Sequence, residues 1–150
     1  MVHFPKLSAA ALLLPLAASA PVAKRQAAIT DADILQFALT LEHLENTFYK
    51  EGLAQFPESA FVAAGFSSEY YNNLKYIALD EEMHVEALTQ GLMAAGASPV
   101  AAGTYDFGFT DPKSFVTVAS VLEGVGTAAY LGAAPAIQSK EYLGIAGSIL

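Results

Sequence analysis

Residues 74–92 read LKYIALDEEMHVEALTQGL, and one side chain in that run stands where an ordinary helix would carry a leucine. At about 100° per residue, Ile77, Ala78, Val85, Leu88 and Leu92 all fall within roughly 60° of Leu74 and form an apolar stripe. Glu81 projects about 20° from the centre of that stripe, whereas Asp80, Glu82 and Glu86 fall outside it. A carboxylate is therefore aimed into the core. His84 follows three residues later, so its imidazole reaches the same space one turn on. Glu-x-x-His at helical spacing is a chelating pair.

Working outward, this segment runs from about Ser68 to Ala95, with Gly96 as its stop signal. An earlier helical segment runs from about Asp31 to Glu51, with Thr30 and Asp31 as candidate caps and acids in its first turn. Ile34, Phe37, Ala38, Leu41 and Phe48 define its apolar face; Glu45 falls near the centre of that face and Glu42 at its margin. A third segment starts at Asp111-Pro112, a cap followed by proline at the first helical position, and continues toward Pro135. Within it Glu123 sits alone among apolar residues. A fourth helix begins near Lys140 and meets the end of the chain at Leu150. Two loops rich in Gly, Pro and Ser separate the first three segments, and no strand alternation competes. The expected fold is all-α, an up-down helical bundle with a truncated fourth helix.

Unpaired burial of an ionised carboxylate costs several kcal/mol even after relaxation, so inward acids must be protonated or matched by a cation. The lysines do not supply it: Lys50 and Lys75 point away from the stripes, and Lys113 and Lys140 lie near helix ends. Protonation or a metal cation remains. An oxygen-rich donor set with one imidazole suits iron or manganese better than a thiolate-preferring ion. Taken singly, Glu42, Glu45 or His84 reads as a helix-edge acid or a satisfied histidine; their combination argues for a site. His43 lies opposite the apolar stripe and reads as solvent-facing. Tyr49 and Tyr130 are placed to pack and to hydrogen-bond an inner carboxylate.

The N-terminus reads as a targeting segment. A basic start ending at Lys6, an apolar run from Leu7 to Ala18 and the small-x-small signal Ala18-Ser19-Ala20 mark residues 1–20 as a signal peptide. Lys24-Arg25 closes a short propeptide at 21–25, leaving one domain from Gln26 to Leu150 in a secreted, extracellular or cell-wall protein. Losing Lys6, Lys24 and Arg25 leaves four basic residues against fifteen acids, a net charge of −11. Such a chain repels phosphate backbones and anionic membrane surfaces, which speaks against nucleic acid as a partner. The chain holds no cysteine, so packing must replace disulfides. From Ser114 to Gln138 the only charged residue is Glu123, a pattern that a membrane-spanning helix would share. Gly124, Gly126, Gly132, Thr127 and Pro135 dilute the run and no basic cluster flanks it, so a packed helix is expected and no span in the mature form.

LEHLENTFY at 41–49 and DEEMH at 80–84 resemble the ferritin-like domain of secreted fungal stress-response and sexual-development proteins. Ferritin-like carboxylate bundles use one Glu from each of two helices and a Glu-x-x-His from each of the other two. The resemblance assigns Glu42, Glu81, His84 and Glu123 as metal ligands, of the di-iron or di-manganese type, with Glu45 in reserve. It prefers Glu42 because Tyr49 follows seven residues later, as Tyr130 follows Glu123; the helical periodicity prefers Glu45. The family's second Glu-x-x-His would fall just beyond GIAGSIL, where this chain stops. Truncation, assembly with another chain such as a homodimer that completes the bundle, or loss of a complete two-metal site would each account for that. Two functions follow: a metal-dependent protein acting on dioxygen or peroxide, or a non-enzymatic secreted metal-binding or cell-surface protein. The residues leave open whether the chain is an enzyme.

Overall fold

The computed structural model describes residues 28–150; the signal peptide expected at 1–20 and the propeptide at 21–25 lie outside the described residues. Every regular element among the described residues is helical: α1 (Asp31–Gln55), α2 (Glu58–Ala63), α3 (Ser68–Ala94), α4 (Pro112–Ala133) and α5 (Lys140–Ile149), with a 3₁₀ turn at Ala134–Ala136. The expected helical bundle is present. Two details differ from the sequence reading: α1 runs past Glu51 to Gln55, and the segment taken as loop contains α2. That helix is only six residues long, too short for a periodic signal, and is held by burying Phe61.

Local chemistry sets the ends. Thr30 caps α1 through a reciprocal box with Asp33, and Asp111 caps α4 through one with Ser114. At the end of α3, Gly96 takes a positive φ of 73° that a side chain would strain. Its N–H bonds to Met93 O at 3.0 Å and that of Ala97 to Leu92 O at 2.9 Å, a Schellman closure. Asp31 is not the cap of α1. Its carboxylate instead accepts the N–H groups of Gln138 and Ser139, each at 2.8 Å, and ties the start of α5 to the start of α1.

Packing partners fix the directions. Leu35 and Leu39, early in α1, cluster with Leu88 and Leu92, late in α3, so these helices are antiparallel. Phe48 and Tyr49, late in α1, meet Phe115 at the start of α4, while Tyr130 at the end of α4 joins Leu35; α4 is also antiparallel to α1. α3 and α4 are thus parallel and need a long crossover, residues 95–111, the connection ferritin-like bundles share. The crossover is strapped to α1 by Gln36, which donates to Ser98 O at 2.6 Å and accepts from Val100 N at 2.9 Å. His43 adds a 3.0 Å contact to Val100 O. His43, expected to face solvent, is half-buried by this strap.

Two apolar clusters result. One gathers Phe48, Tyr49, Phe56, Phe61, Leu74, Phe109, Phe115 and Ala119; the other gathers Leu35, Ala38, Leu39, Leu88, Leu92, Tyr130 and Ala146. On α1, residues 42 and 45 lie between them; on α3, residues 81 and 84; on α4, residue 123. The bundle is apolar at both ends and acidic in the middle.

The buried stripe of α4 is Phe115, Ala119, Gly126 and Tyr130, spaced by four, seven and four residues. The stretch Pro112–Ala136 is long and apolar enough to cross a membrane by length and composition, with a mean hydropathy of 1.4 and 22% of that window buried. Two tyrosine–carboxylate hydrogen bonds, described below, join it to α1.

The aromatic cluster depends on Gly52. A Cβ there would collide with the ring of Phe115, which packs directly against the bare backbone of α1 at that position. Gly52→Ala should therefore force Phe115 out of its stack with Phe48 and destabilise the protein by about 1–3 kcal/mol, despite alanine's better helix propensity. Urea denaturation checks this, and a rise in midpoint would contradict it.

Candidate metal centre

In a bundle, a helix packed against two neighbours buries a broad arc. On α1 the buried residues are Ile34, Leu35, Ala38, Leu39, Glu42, Glu45, Phe48, Tyr49 and Gly52. Relative to the face read from periodicity, the arc is rotated toward Leu35, Leu39 and Tyr49. Phe37 is left 55% exposed, contrary to expectation, and Glu42 is 1% exposed rather than marginal. Glu45, at 6%, is buried as well, so both rival positions are inside. On α3 the expectation holds: Leu74, Glu81 and Leu88 are buried at heptad spacing, with Glu81 5% exposed.

Glu42, Glu81 and His84 come together. Each offers a ligand atom within 4.8 Å of the others. His84 Nδ1 lies 3.2 Å from Glu42 Oε2 and 3.5 Å from Glu81 Oε2. The second contact is an ion pair without a hydrogen bond, and Glu81 Oε2 has no hydrogen-bond partner among the protein's groups. Glu123 from α4 is half-buried and lines the same cavity, together with Glu45, Gly126, Thr127, Tyr130, Ile149 and Leu150. About 50 Å³ of it is open to the centre of a water-sized molecule. It draws on α1, α3, α4 and the end of α5. The four residues assigned by resemblance and the reserve Glu45 all face it, while the closest three-donor group omits Glu45 and Glu123.

Tyrosines orient the acids. Tyr130 Oη donates to Glu42 Oε1 at 2.6 Å, and Tyr49 Oη to Glu123 Oε1 at 2.5 Å. The seven-residue Glu-to-Tyr spacing is thus used in crossed fashion: each tyrosine serves the carboxylate of the opposite helix. Burial and the neighbouring carboxylates raise both phenols above the ordinary tyrosine range, so they stay protonated donors.

With no lysine lining the cavity, the charge is balanced by protons. Its hydrogen bond to Glu42, and then the facing Glu81 carboxyl, raises His84 to about 10, which makes it an imidazolium at neutral pH. Glu42 is held below its usual value: burial opposes ionisation, but the bonds from His84 and Tyr130, with the adjoining Glu81 carboxyl, outweigh it. Burial, then the adjoining Glu42, pushes Glu45 up to about 8. Glu81 rises to about 7, chiefly from burial. Lys50 lies outside, in a surface pair with Glu82 at 2.9 Å in which both side chains are more than half exposed.

The residues fit a cation. A buried carboxylate oxygen without a hydrogen-bond partner, carboxylate donors from separate helices, and an imidazole within reach make a hard oxygen-rich set with one nitrogen. One contributor escaped the sequence reading: Gly126, where a Cβ would stand 2.7 Å from Glu45 Oε1. A glycine inside a helix was the available signal, since it marks close approach by a neighbour.

The helix order, the long crossover and carboxylates delivered from several helices define a ferritin-like bundle, and the comparison agrees. The family described as "Ferritin-like domain" matches residues 30–150, and the chain belongs to it. Among curated proteins, "Protein rds1" of Schizosaccharomyces pombe (strain 972 / ATCC 24843) is 28% identical over 110 residues. That alignment covers 73% of this chain and 27% of the relative, so the chain spans well under half of that protein's length.

A pH dependence follows for metal-free protein. A carboxyl whose folded pKa is raised, here Glu45 to about 8 and Glu81 to about 7, stabilises the fold below its unfolded pKa near 4.5, and loses that contribution as pH rises through the folded value. His84, raised from 6.5 to about 10, acts in the same direction above pH 6.5. Metal-free protein should be more stable at pH 5.5 than at pH 8, with Glu45 contributing on the order of 2 kcal/mol. Glu45→Gln, which mimics the protonated acid, should remove the Glu45 share of that slope in thermal unfolding scans run with chelator, leaving the part due to Glu81 and His84. An unchanged slope would mean that Glu45 is ionised throughout.

Proposed function

We propose that the Glu42, Glu81 and His84 cluster, with Glu123 and Glu45 beside it, holds iron or manganese, and that the protein uses it on dioxygen or peroxide. The observation that carries this is the convergence of Glu42, Glu81 and His84 within 4.8 Å, one carboxylate oxygen being buried without a hydrogen-bond partner. The bound ion would supply Lewis acidity and one-electron redox chemistry. The chain's own residues supply the rest. Tyr130 holds Glu42, and Tyr49 holds Glu123, each by a donated hydrogen bond. Glu45 keeps a proton inside the cavity at neutral pH. The two apolar clusters flank the acidic layer on either side along the bundle.

The setting belongs to the same proposal. Residues 1–20 have the composition of a secretory leader, which supports export to the extracellular space or cell wall. LEHLENTFY and DEEMH support the secreted fungal stress-response and sexual-development type. A second reading is a metal-binding or cell-surface protein without turnover; it is favoured by the single imidazole among the donors lining the cavity.

Metal analysis of protein purified and exposed to Fe(II) or Mn(II) tests the site. Wild type should retain metal through dialysis, while Glu81→Ala and His84→Ala should lose it. Tyr130→Phe, which removes only a hydrogen bond to a ligand, should weaken binding roughly 10–100-fold. Equal metal content in all four proteins would remove the site. Dioxygen or peroxide consumption by the metal-loaded wild type then separates turnover from storage.

A further inference from the structure

Beside the acidic cavity lies a second one of opposite character. It is lined by residues of α1, α3, α4 and α5, including Ala38, Leu41, Leu88, Ala133 and Ala146, and every lining side chain is apolar except Tyr130. Tyr130 is also the one residue that lines both cavities. Its hydroxyl is engaged by Glu42 at 2.6 Å, so it points its single polar atom toward the acids. The apolar side is left with the ring.

Size and chemistry restrict the occupant. About 20 Å³ is open to the centre of a water-sized molecule, little more than the ~10–15 Å³ that one such molecule requires. A water there needs two to four polar partners, and the walls offer none that is free. A benzene-sized molecule is too large. Access is at hand, because Phe37 lines the cavity while 55% exposed, a placement that puts an apolar side chain at its rim.

We propose that this cavity is a binding site for one small apolar molecule of dioxygen's size, delivered to the acidic cavity past the ring of Tyr130. The site itself stands on the shape and lining of the cavity; its role in supplying the metal centre rests on the function proposed above. An apolar pocket concentrates such a molecule from water because its transfer out of water is favourable. It also excludes peroxide, which would leave its hydroxyl groups without partners.

Xenon, an apolar atom comparable in size, is the probe. In protein under xenon pressure, crystallography or methyl NMR should place one atom here, with shifts confined to the methyls that line it, those of Ile34, Leu35, Leu41, Leu88 and Ile137 among them. Ala38→Leu and Ala133→Leu, two independent fillings, should abolish uptake, and Leu88→Ala should enlarge the cavity and strengthen it. None of these substitutions touches a donor, so iron content should stay at the wild-type level. The filled variants loaded with Fe(II) should consume dioxygen several-fold more slowly at low dioxygen, and peroxide at the wild-type rate. Absence of xenon from both wild type and Leu88→Ala would overturn the site. Uptake of xenon with dioxygen consumption unaffected by filling would overturn the supply role. A wild type that holds no metal would overturn the metal reading alone, since xenon binding is measured without the ion.

Discussion

The structure depends on one electrostatic constraint: carboxylates from three helices share a layer at the middle of the bundle, and no lysine or arginine lines it. Buried like charges repel strongly where water is excluded, so the layer survives only if its charge is balanced within a few ångströms. In the protein without metal, protons do this. The His84 imidazolium sits against Glu42, Glu45 keeps its proton to about pH 8, and two phenols donate to Glu42 and Glu123. A cation among the same donors would release these protons, and its affinity would rise with pH for that reason.

The surrounding packing makes the layer possible. With no cysteine in the chain, nothing covalent holds three helices in register. The aromatic cluster fixes α1 against α4 on one side of the acids, with Phe48 stacked on Phe115 at 4.6 Å between centroids. The aliphatic cluster fixes α1 against α3 and α5 on the other. Both meet α1, which alone carries two of the buried acids, so a shift of α1 along its axis would break both clusters at once. Asp31 and the Gln36 strap oppose the same shift from its N-terminal half.

How legible this was depended on how many sides each helix buries. α3 repeats Leu74, Glu81 and Leu88 at heptad spacing, so arithmetic on one stripe found both Glu81 and the Glu-x-x-His pair. α1 is covered on several sides, and choosing Phe37 and Leu41 as its face turned the reading away from Glu42. The residues that resemble the ferritin-like family corrected the angle that periodicity had wrong, while periodicity was right that Glu45 is inside. Glu123 was legible because a lone charge in an apolar helix needs a partner, and Tyr49 is that partner. The roles of Asp31, Gln36 and His43 were not legible: each binds backbone more than 50 residues away in sequence, and local pattern carries no trace of such contacts.

The donors divide into two unlike halves, and this bears on how many ions the cavity can hold. Glu42, Glu81 and His84 converge, and Glu42 is already ionised below its usual range. Glu45 and Glu123 line the same cavity outside that group, and Glu45 must first give up a proton it holds to about pH 8. On the proposed reading, a first ion therefore belongs to the histidine side at neutral pH. A second would compete with the Glu45 proton and with the Tyr49 bond to Glu123. Gly126 sharpens the asymmetry, because its bare Cα is what lets the Glu45 carboxylate lie against α4. A side chain at that position would push Glu45 back toward Glu42 and Glu81, raising repulsion where the first ion's ligands already sit.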